Sequence, residues 1–182
     1  MIKPTEPSHA TAQASRLRRA LIETADGCFT AEFSAHGLAR LSFPAGPGGK
    51  GPKPAIAEES STSPPPAWLK QTRAAVEALL AGRAPRVFPP LDLSCGTDFQ
   101  QLVWQALREI PLGKTCSYGA IARSIGRPKA VRAVGAACGA NPVPLLVPCH
   151  RVLAANGKLG GFSGGPEWKP RLLRREGSWS AD

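Results

Sequence analysis

The sequence predicts a small α/β (α+β) domain with an antiparallel sheet, followed by a mostly helical domain that contains a helix-turn-helix. Three observations support this fold class. Strand-like segments separated by turn dipeptides come first, and amphipathic helical patterns dominate the second half. The chain of 182 residues has room for one ordinary domain or two small ones. We therefore assign residues 16–94 to the first domain and residues 95–178 to the second.

A three-stranded meander is predicted at the start of the first domain. Strand-like segments cover Ala20–Thr24, Cys28–Ser34 and Leu38–Phe43. Asp26-Gly27 and His36-Gly37 separate these segments, and both dipeptides suit tight hairpin turns.

Two further segments are predicted to lie outside the packed core. Residues 1–15 are expected to form a disordered N-terminus. Residues 44–66 are rich in Pro, Gly, Ser and Lys, a composition typical of an exposed loop.

Ala67–Ala81 then predicts a helix, because its apolar residues fall on one side and Gly82 is a fitting C-terminal stop.

Helical signals organise the second domain. Thr97 with Gln100 three residues later forms a capping box for a helix that Pro111 ends. Tyr118–Ile125 predicts a second, short helix. A third helix is predicted to start at Pro128, since proline is permitted in the first helical position.

The second and third of these helices form the predicted helix-turn-helix. A tight Gly126-Arg127 turn joins them, and Arg127, Lys129 and Arg132 make the third helix basic. Arg127 and Arg132 are therefore candidate DNA-binding residues. The pattern alone is only moderately specific, because an αα-hairpin inside a core also produces it.

The positive charge of the chain is unevenly distributed. The formal net charge is +10, and no Asp or Glu occurs from Ile110 to Pro166. The same stretch holds seven cations: Lys114, Arg123, Arg127, Lys129, Arg132, Arg151 and Lys158. A cationic field of this kind favours a polyanion such as DNA. General basicity for solubility, or an acidic protein partner, remains the alternative.

The cysteines and the N-terminus bear on metal content and location. Five cysteines, an odd number without a C-x-x-C pair, argue against a disulfide framework or a regular zinc module. Cys28, His36 and Cys95 are too irregularly spaced for a predicted zinc site, so we predict no metal and no cofactor. The N-terminus lacks the apolar core of a signal peptide, and no run reaches membrane-spanning length. We expect a cytoplasmic monomer with no membrane partner.

The most informative segment is Pro148-Cys149-His150-Arg151-Val152. A thiolate is the nucleophilic form of cysteine, and a neighbouring histidine is a usual means of generating it. We expect His150 to raise the reactive fraction of Cys149. The alternative is a buried free cysteine beside a surface histidine, because a lone Cys-His pair is a weak motif.

Several motifs surround this segment in a consistent order. They are Thr97-Asp98-Phe99-Gln100, Val103-Trp104, Ile110-Pro111-Leu112-Gly113, Ser117-Tyr118, Arg132-Ala133-Val134-Gly135, Asn141-Pro142-Val143-Pro144, Pro148-Cys149-His150-Arg151-Val152, Gly164-Gly165 and Leu172-Leu173-Arg174-Arg175-Glu176-Gly177. Together they resemble the methylated-DNA–protein-cysteine methyltransferases, the O6-alkylguanine-DNA alkyltransferases. The resemblance covers about residues 95 to 177, and the first domain matches only in general layout.

The resemblance implies a DNA repair protein that acts once. Members of this family flip O6-alkylguanine out of the duplex and move the alkyl group to a cysteine. It implies Cys149 as nucleophile and permanent acceptor, His150 as its base through a bound water, and Glu176 as the residue that orients His150. Reaction with O4-alkylthymine stays open.

The resemblance also implies residues that bind the substrate. Tyr118 would support the departing base at N3, Ser163 would contact O6, and the backbone around Val152 would bind the exocyclic amine. Arg132 would fill the gap left by the flipped nucleotide. Asn141 would tie the end of the third helix to the active-site segment.

The sequence departs from the family pattern near its end. Phe162 stands where many relatives have tyrosine, and Pro166 and Pro170 interrupt the expected last helix. We therefore expect that helix to begin near Lys169, which leaves the placement of Glu176 open.

Three alternative functions follow from the same residues. One is a helix-turn-helix regulator in which Cys149 is only structural. Another is a cysteine hydrolase, although no nucleophile context of that class is present. A family branch that binds alkylated DNA without repair carries tryptophan at the cysteine position, and Cys149 argues against membership of it.

Overall fold

The computed structural model describes residues 17–44 and 63–179. A three-stranded sheet comes first, and helices with two very short strands follow. The elements in chain order are β1 (Arg18–Thr24), β2 (Gly27–Phe33), β3 (Leu38–Ser42), α1 (Pro66–Leu80), α2 (Asp98–Arg108), β4 (Cys116–Ser117), α3 (Tyr118–Ser124), α4 (Val131–Gly139), a 3₁₀ turn (Cys149–Arg151), β5 (Val152–Leu153) and α5 (Trp168–Arg175).

The first sheet is the predicted antiparallel meander, in the order β1-β2-β3. Thr24 pairs with Gly27 at the first hairpin, where Gly27 has a φ of 114° that favours glycine. Alternate residues of β2 are buried, among them Phe29 and Phe33, because successive side chains of a strand point to opposite faces. The three predicted strands are thus confirmed, with ends shifted by at most two residues.

Helices α1 and α2 also match the expectations. Helix α1 begins one residue before the predicted start. The capping box of α2 is formed: Thr97 Oγ1 accepts from the Gln100 backbone N–H at 3.3 Å, and Gln100 Oε1 accepts from the Thr97 N–H at 2.9 Å. Trp104 is buried and donates its indole N–H to the Ala137 carbonyl at 2.8 Å, which connects α2 to α4.

The predicted start of the third helix is wrong. Helix α4 begins at Val131, not at Pro128. The Arg127 N–H closes the end of α3 by donating to the Ala122 carbonyl at 2.8 Å, and Gly126 has a φ of 69°. This is the hydrogen-bond pattern of a glycine C-cap. Pro128 therefore lies in a separate turn, which lengthens the connection between α3 and α4.

Helix α5 accommodates its proline. It begins at Trp168, one residue before the expected start, so Pro170 lies in the first turn. The first backbone N–H groups of a helix have no partner inside the helix, so a proline there costs no hydrogen bond. Glu176 caps the C-terminal end of α5.

One cluster of buried apolar side chains runs through both halves of the chain. Phe29 and Phe43 from the sheet pack against the Trp168 ring, with ring centroids 5.7 and 4.8 Å from it. Phe162 packs edge-on against Phe43 at 5.4 Å. The first residues of α5 are thus part of the same core as the sheet.

Some expectations concern residues outside the described ranges. The predicted disordered segment 1–15 lies outside them, and so does most of the predicted loop 44–66. The boundary between domains at residues 94 and 95 stays a prediction. Within the described part of the chain, no helix combines the length and apolar character needed to cross a membrane.

Candidate active site

Asn141 fixes the segment that carries Cys149. Its Nδ2 donates to the Val147 carbonyl at 2.8 Å and to Cys149 Sγ at 3.2 Å. Its Oδ1 accepts from the Val143 N–H at 3.0 Å. In the same loop Leu145 has a φ of 80°, a conformation that costs a non-glycine residue energy and persists only where the surroundings enforce it. The thiol is thus held at the end of a closely constrained loop.

Short parallel pairing brings this loop beside α3. Cys116 pairs with Val152 and Ser117 with Leu153. Ser117 also caps α3, since its hydroxyl accepts from the Ala120 N–H at 3.1 Å. Tyr118, the first residue of α3, is thereby placed next to the Cys149 segment.

His150 and Glu176 form a buried pair. The His150 Nε2 lies 2.9 Å from Glu176 Oε1, and both side chains are inaccessible to solvent. Burial alone would raise the pKa of Glu176, but hydrogen bonds from His150 and Arg151 outweigh it and lower the pKa to about 2. Glu176 is therefore a carboxylate at neutral pH.

The charge of Glu176 decides the tautomer of His150. Burial lowers the pKa of His150, and Glu176 offsets only part of that effect, so the imidazole is neutral at rest. A carboxylate only accepts hydrogen bonds, so Nε2 carries the proton and donates it to Glu176. Nδ1 then holds a lone pair, and it is buried with no hydrogen-bond partner among the described residues. Nδ1 is thus the available base.

Arg151 completes the buried charge cluster. Its Nε and Nη2 each donate to Glu176 at 3.0 Å, and its Nη1 donates to the Ile110 carbonyl at 2.7 Å. Arg151 was expected to contribute to the cationic field of residues 110–166, but its buried side chain is neutralised by Glu176. Its position beside the Cys-His pair was visible in the sequence, but its partner lies 25 residues further along the chain.

Lys169 is a second buried cation that the sequence analysis missed. Only 1% of its surface is exposed, and its Nζ donates to the Val152 carbonyl at 2.7 Å. Burial lowers its pKa, and the nearby thiols Cys149 and Cys138 oppose that effect. No sequence signal distinguishes Lys169 from an exposed lysine, because its burial depends on tertiary packing.

The Cys149 thiol is neutral at rest. Burial raises its pKa, while the hydrogen bond from Asn141 and the charge of Lys169 act in the opposite direction. This differs from the expectation that His150 raises the reactive thiolate fraction of Cys149, because burial favours the neutral thiol. Cys138, also buried, has its pKa raised to about 12 by burial and by Cys149.

A pocket of about 310 Å³ opens at Cys149. Its lining residues are Tyr118, Gly135, Cys138, Gly139, Cys149, Gly161, Phe162 and Ser163. The structure therefore brings Tyr118 and Ser163 into the same pocket as Cys149. Burial raises the pKa of Tyr118, so its phenol stays protonated. Val152 is buried beside the pocket rather than in its lining, and its role in binding the base stays a prediction.

The candidate DNA-binding residues lie on the surface. Arg127 is exposed in the connection before α4, and Arg132 is exposed on α4 itself. The same helix lines the pocket with Gly135, Cys138 and Gly139. Helix α4 thus carries exposed Arg132 and also lines the pocket that contains Cys149.

Over residues 17–44 and 63–179, no group of three or more His, Cys, Asp or Glu is arranged to hold a metal ion. Cys28 and Cys95 are exposed free thiols.

Known proteins are similar to the same part of the chain that carries the candidate site residues. Residues 98–178 match the family model described as 6-O-methylguanine DNA methyltransferase, DNA binding domain. A methylated-DNA–protein-cysteine methyltransferase of Mycobacterium leprae is 49% identical over 115 residues, which are 60% of this chain and 69% of that protein.

The chain belongs to the methylated-DNA–protein-cysteine methyltransferase family.

Other members of the methyltransferase family differ in sequence identity to this chain and in the share of it that they match. The protein of that name from Methanosarcina acetivorans is 58% identical over 83 residues, which are 46% of this chain and 53% of that protein. The chain thus spans about half the length of the first curated relatives it matches. The crystal structure of Mycobacterium tuberculosis OGT in complex with DNA superposes on this chain with a TM-score of 0.69 and 39% sequence identity. The superposition covers 88% of this chain and 93% of the Mycobacterium tuberculosis chain.

The family match includes every predicted site residue. Tyr118, Asn141, Cys149 and Glu176 all fall inside residues 98–178. The first half of the chain lies outside that match, yet the structural similarity to the Mycobacterium tuberculosis protein extends over most of the chain. The similarity to the family's fold therefore extends over both halves of the chain.

Proposed function

We propose that this protein repairs DNA by moving an alkyl group from the O6 atom of guanine to the sulfur of Cys149. The observation that carries the proposal is the placement of Cys149 at a pocket beside the buried His150–Glu176 pair. The names of the relatives and the DNA complex of the Mycobacterium tuberculosis protein support it.

The first step is removal of the thiol proton. Glu176 holds the Nε2–H of His150, so Nδ1 acts as the base and receives the proton from Cys149 through one water. Such a water would also give the buried Nδ1 a hydrogen-bond partner. The imidazolium formed in this step lies 2.9 Å from the Glu176 carboxylate, which stabilises it.

The second step is displacement at the alkyl carbon. The sulfur lone pair forms the C–S bond while the C–O6 bond breaks, and the electron pair of that bond leaves with the guanine. A departing guanine anion is a poor leaving group, so hydrogen-bond donors near the base lower the barrier. Tyr118 supplies such a donor toward N3, and Ser163 lies in the pocket to contact O6.

The product limits the protein to a single reaction. The thioether on Cys149 is not readily hydrolysed by water, and it occupies the acceptor. The guanine anion takes up one proton, balancing the one that Cys149 gave to His150, and returns to the duplex, while the protein stays alkylated. Repair is therefore stoichiometric.

Access to the base requires that it leave the helical stack. We propose that α3 and α4 act as a helix-turn-helix, with Arg127 and Arg132 contacting the duplex. Arg132 enters the space of the flipped nucleotide and compensates part of the lost stacking. The absence of Asp and Glu from Ile110 to Pro166 keeps this surface free of acidic charge from that stretch.

Intact mass spectrometry tests the proposal. The protein is mixed with a duplex that contains O6-methylguanine, and in parallel with one that contains O4-methylthymine. We expect one methyl group per molecule, located on the Cys149 peptide, and none in the Cys149→Ser variant. Cys95→Ser is the matched control, because Cys95 is an exposed thiol. Binding without a mass change would support the regulator alternative, and repeated turnover would support a hydrolase.

A further inference from the structure

The turn between β1 and β2 contacts the C-terminal half of α5. Asp26 lies in that turn, and Arg175 donates to its two carboxylate oxygens, from Nη1 at 2.5 Å and from Nη2 at 3.0 Å. Arg171 donates to the same carboxylate. Two arginines one helical turn apart are thus held by one acidic residue of the first sheet.

The end of α1 makes a second contact with the same place. Arg175 Nη1 also donates to the Leu80 carbonyl at 2.9 Å. Gly82 follows α1 with a φ of 66°, and a Cβ built on it would lie 2.0 Å from the Arg175 carbonyl oxygen. Only glycine permits this approach of the two backbones. Arg175 is therefore fixed through both its side chain and its backbone.

The Asp26 contact is more closely defined in geometry than a typical surface ion pair. The Asp26 side chain is only 9% exposed, although its partners are 42% and 32% exposed. The hydrogen bond and charge of Arg175, with the charge of Arg171, hold the pKa of Asp26 below its ordinary value despite partial burial. A carboxylate held by two hydrogen bonds from one guanidinium has a defined geometry, not only an attraction.

Arg175 is the residue directly before Glu176. The His150 and Arg151 contacts hold the carboxylate of Glu176 from one side. These contacts act on the Glu176 side chain, whereas the backbone of a helix terminus tends to fray. The contacts of Arg175 with Asp26, Leu80 and Gly82 restrain the backbone next to Glu176.

We propose that Asp26 is a positioning residue for alkyl transfer. Through Arg175 it fixes the C-terminal end of α5, and so keeps Glu176 within hydrogen-bond distance of His150. The first half of the chain thereby becomes part of the reaction machinery rather than a separate support. This inference rests on the proposed roles of His150 and Glu176.

A double-mutant cycle measures this coupling. Single-turnover methyl transfer from a methylated duplex is compared in the wild type, Asp26→Asn, Glu176→Gln and the double variant. We expect Asp26→Asn to slow transfer by about three- to tenfold with unchanged duplex affinity, and to add almost nothing when Glu176 is already Gln. If Glu176→Gln does not fold, His150→Ala provides the second background.

Glu32→Gln is the matched control. Glu32 pairs with Arg19 at 2.7 Å within the same hairpin. It lies on the sheet face opposite to Phe29 and Phe33, which are buried. Glu32 also lies 3.6 Å from Arg40 of β3. Its loss removes ion pairs within the first sheet and leaves α5 unchanged, so the transfer rate should stay at the wild-type value.

The possible outcomes separate this inference from the proposed function. A wild-type rate in Asp26→Asn would overturn the positioning role. An equal slowing in both backgrounds would also overturn it, since Asp26 would then act through general stability and not through Glu176. A wild type that transfers no methyl group would overturn the proposed function itself, and the positioning role with it.

Discussion

Replacement of Glu176 by glutamine should destabilise the fold and change its response to acid. Glu176 accepts three hydrogen bonds, at 2.9 Å from His150 and at 3.0 Å from each of two Arg151 nitrogens. A glutamine oxygen accepts fewer and carries no charge. The Arg151 guanidinium, with a side chain 7% exposed, would then be a buried charge without its counter-ion.

Two independent estimates give the same magnitude. Breaking one side of a buried ion pair costs about 3–5 kcal/mol. The pKa of Glu176 falls from the ordinary 4.5 to about 2 on folding, and at about 1.4 kcal/mol per pKa unit this corresponds to roughly 3–4 kcal/mol. We therefore expect Glu176→Gln to lower the free energy of unfolding by about 3 kcal/mol at neutral pH.

The pH dependence follows from the direction of the shift. A carboxyl with a folded-state pKa below its unfolded value contributes stability that is fully present above the unfolded pKa. For Glu176 that stability is lost as the pH falls from 4.5 towards 2. Glu176→Gln should remove this part of the acid sensitivity. Acid sensitivity from His150, whose pKa burial lowers, begins at higher pH.

Urea denaturation followed by tryptophan fluorescence provides the assay, at neutral pH and at several acidic values. Glu32→Gln is again the control, because its partly exposed ion pair should contribute less than about 1 kcal/mol. A loss below about 1 kcal/mol in Glu176→Gln, equal to that of the control, would refute the reasoning from a buried charge cluster.

The remaining predictions concern the reaction. Cys149→Ala should abolish methyl transfer and leave duplex affinity largely intact, as measured by intact mass and by fluorescence anisotropy; residual transfer would remove Cys149 as the acceptor. Arg132→Ala should slow repair of a duplex lesion by at least about tenfold while reaction with free O6-alkylguanine changes little, because only a duplex has a stack to vacate; equal losses would assign Arg132 to the pocket or the fold. His150→Ala should lower the single-turnover rate by about a hundredfold and alter its pH profile; a profile that overlays the wild type would eliminate the relay. Lys169→Met should shift alkylation of Cys149 by iodoacetamide to higher pH, because a nearby cation favours the thiolate; an unchanged midpoint would show that this charge does not reach the sulfur.

Local patterns determined most of the secondary structure. The hairpin turn at Asp26-Gly27, the capping box at Thr97 and the proline of α5 depend on interactions within a few residues, so the sequence predicts them directly. The start of α4 was predicted wrongly because two local signals compete there. The Arg127 N–H closes α3, and that competing cap outweighed the preference of Pro128 for a helix start.

The sequence by itself also determined the family, and it singled out Cys149 as the candidate nucleophile, because the motifs occur in order along one continuous stretch. Only the tertiary structure decided how the charges are arranged. It turned Arg151 inward to Glu176, buried Lys169 beside two thiols, and joined Asp26 to Arg175 across the chain. The physical reason is that burial and ion pairing depend on distances between residues far apart in sequence. A charged residue carries no local mark that shows whether it will face water or a partner.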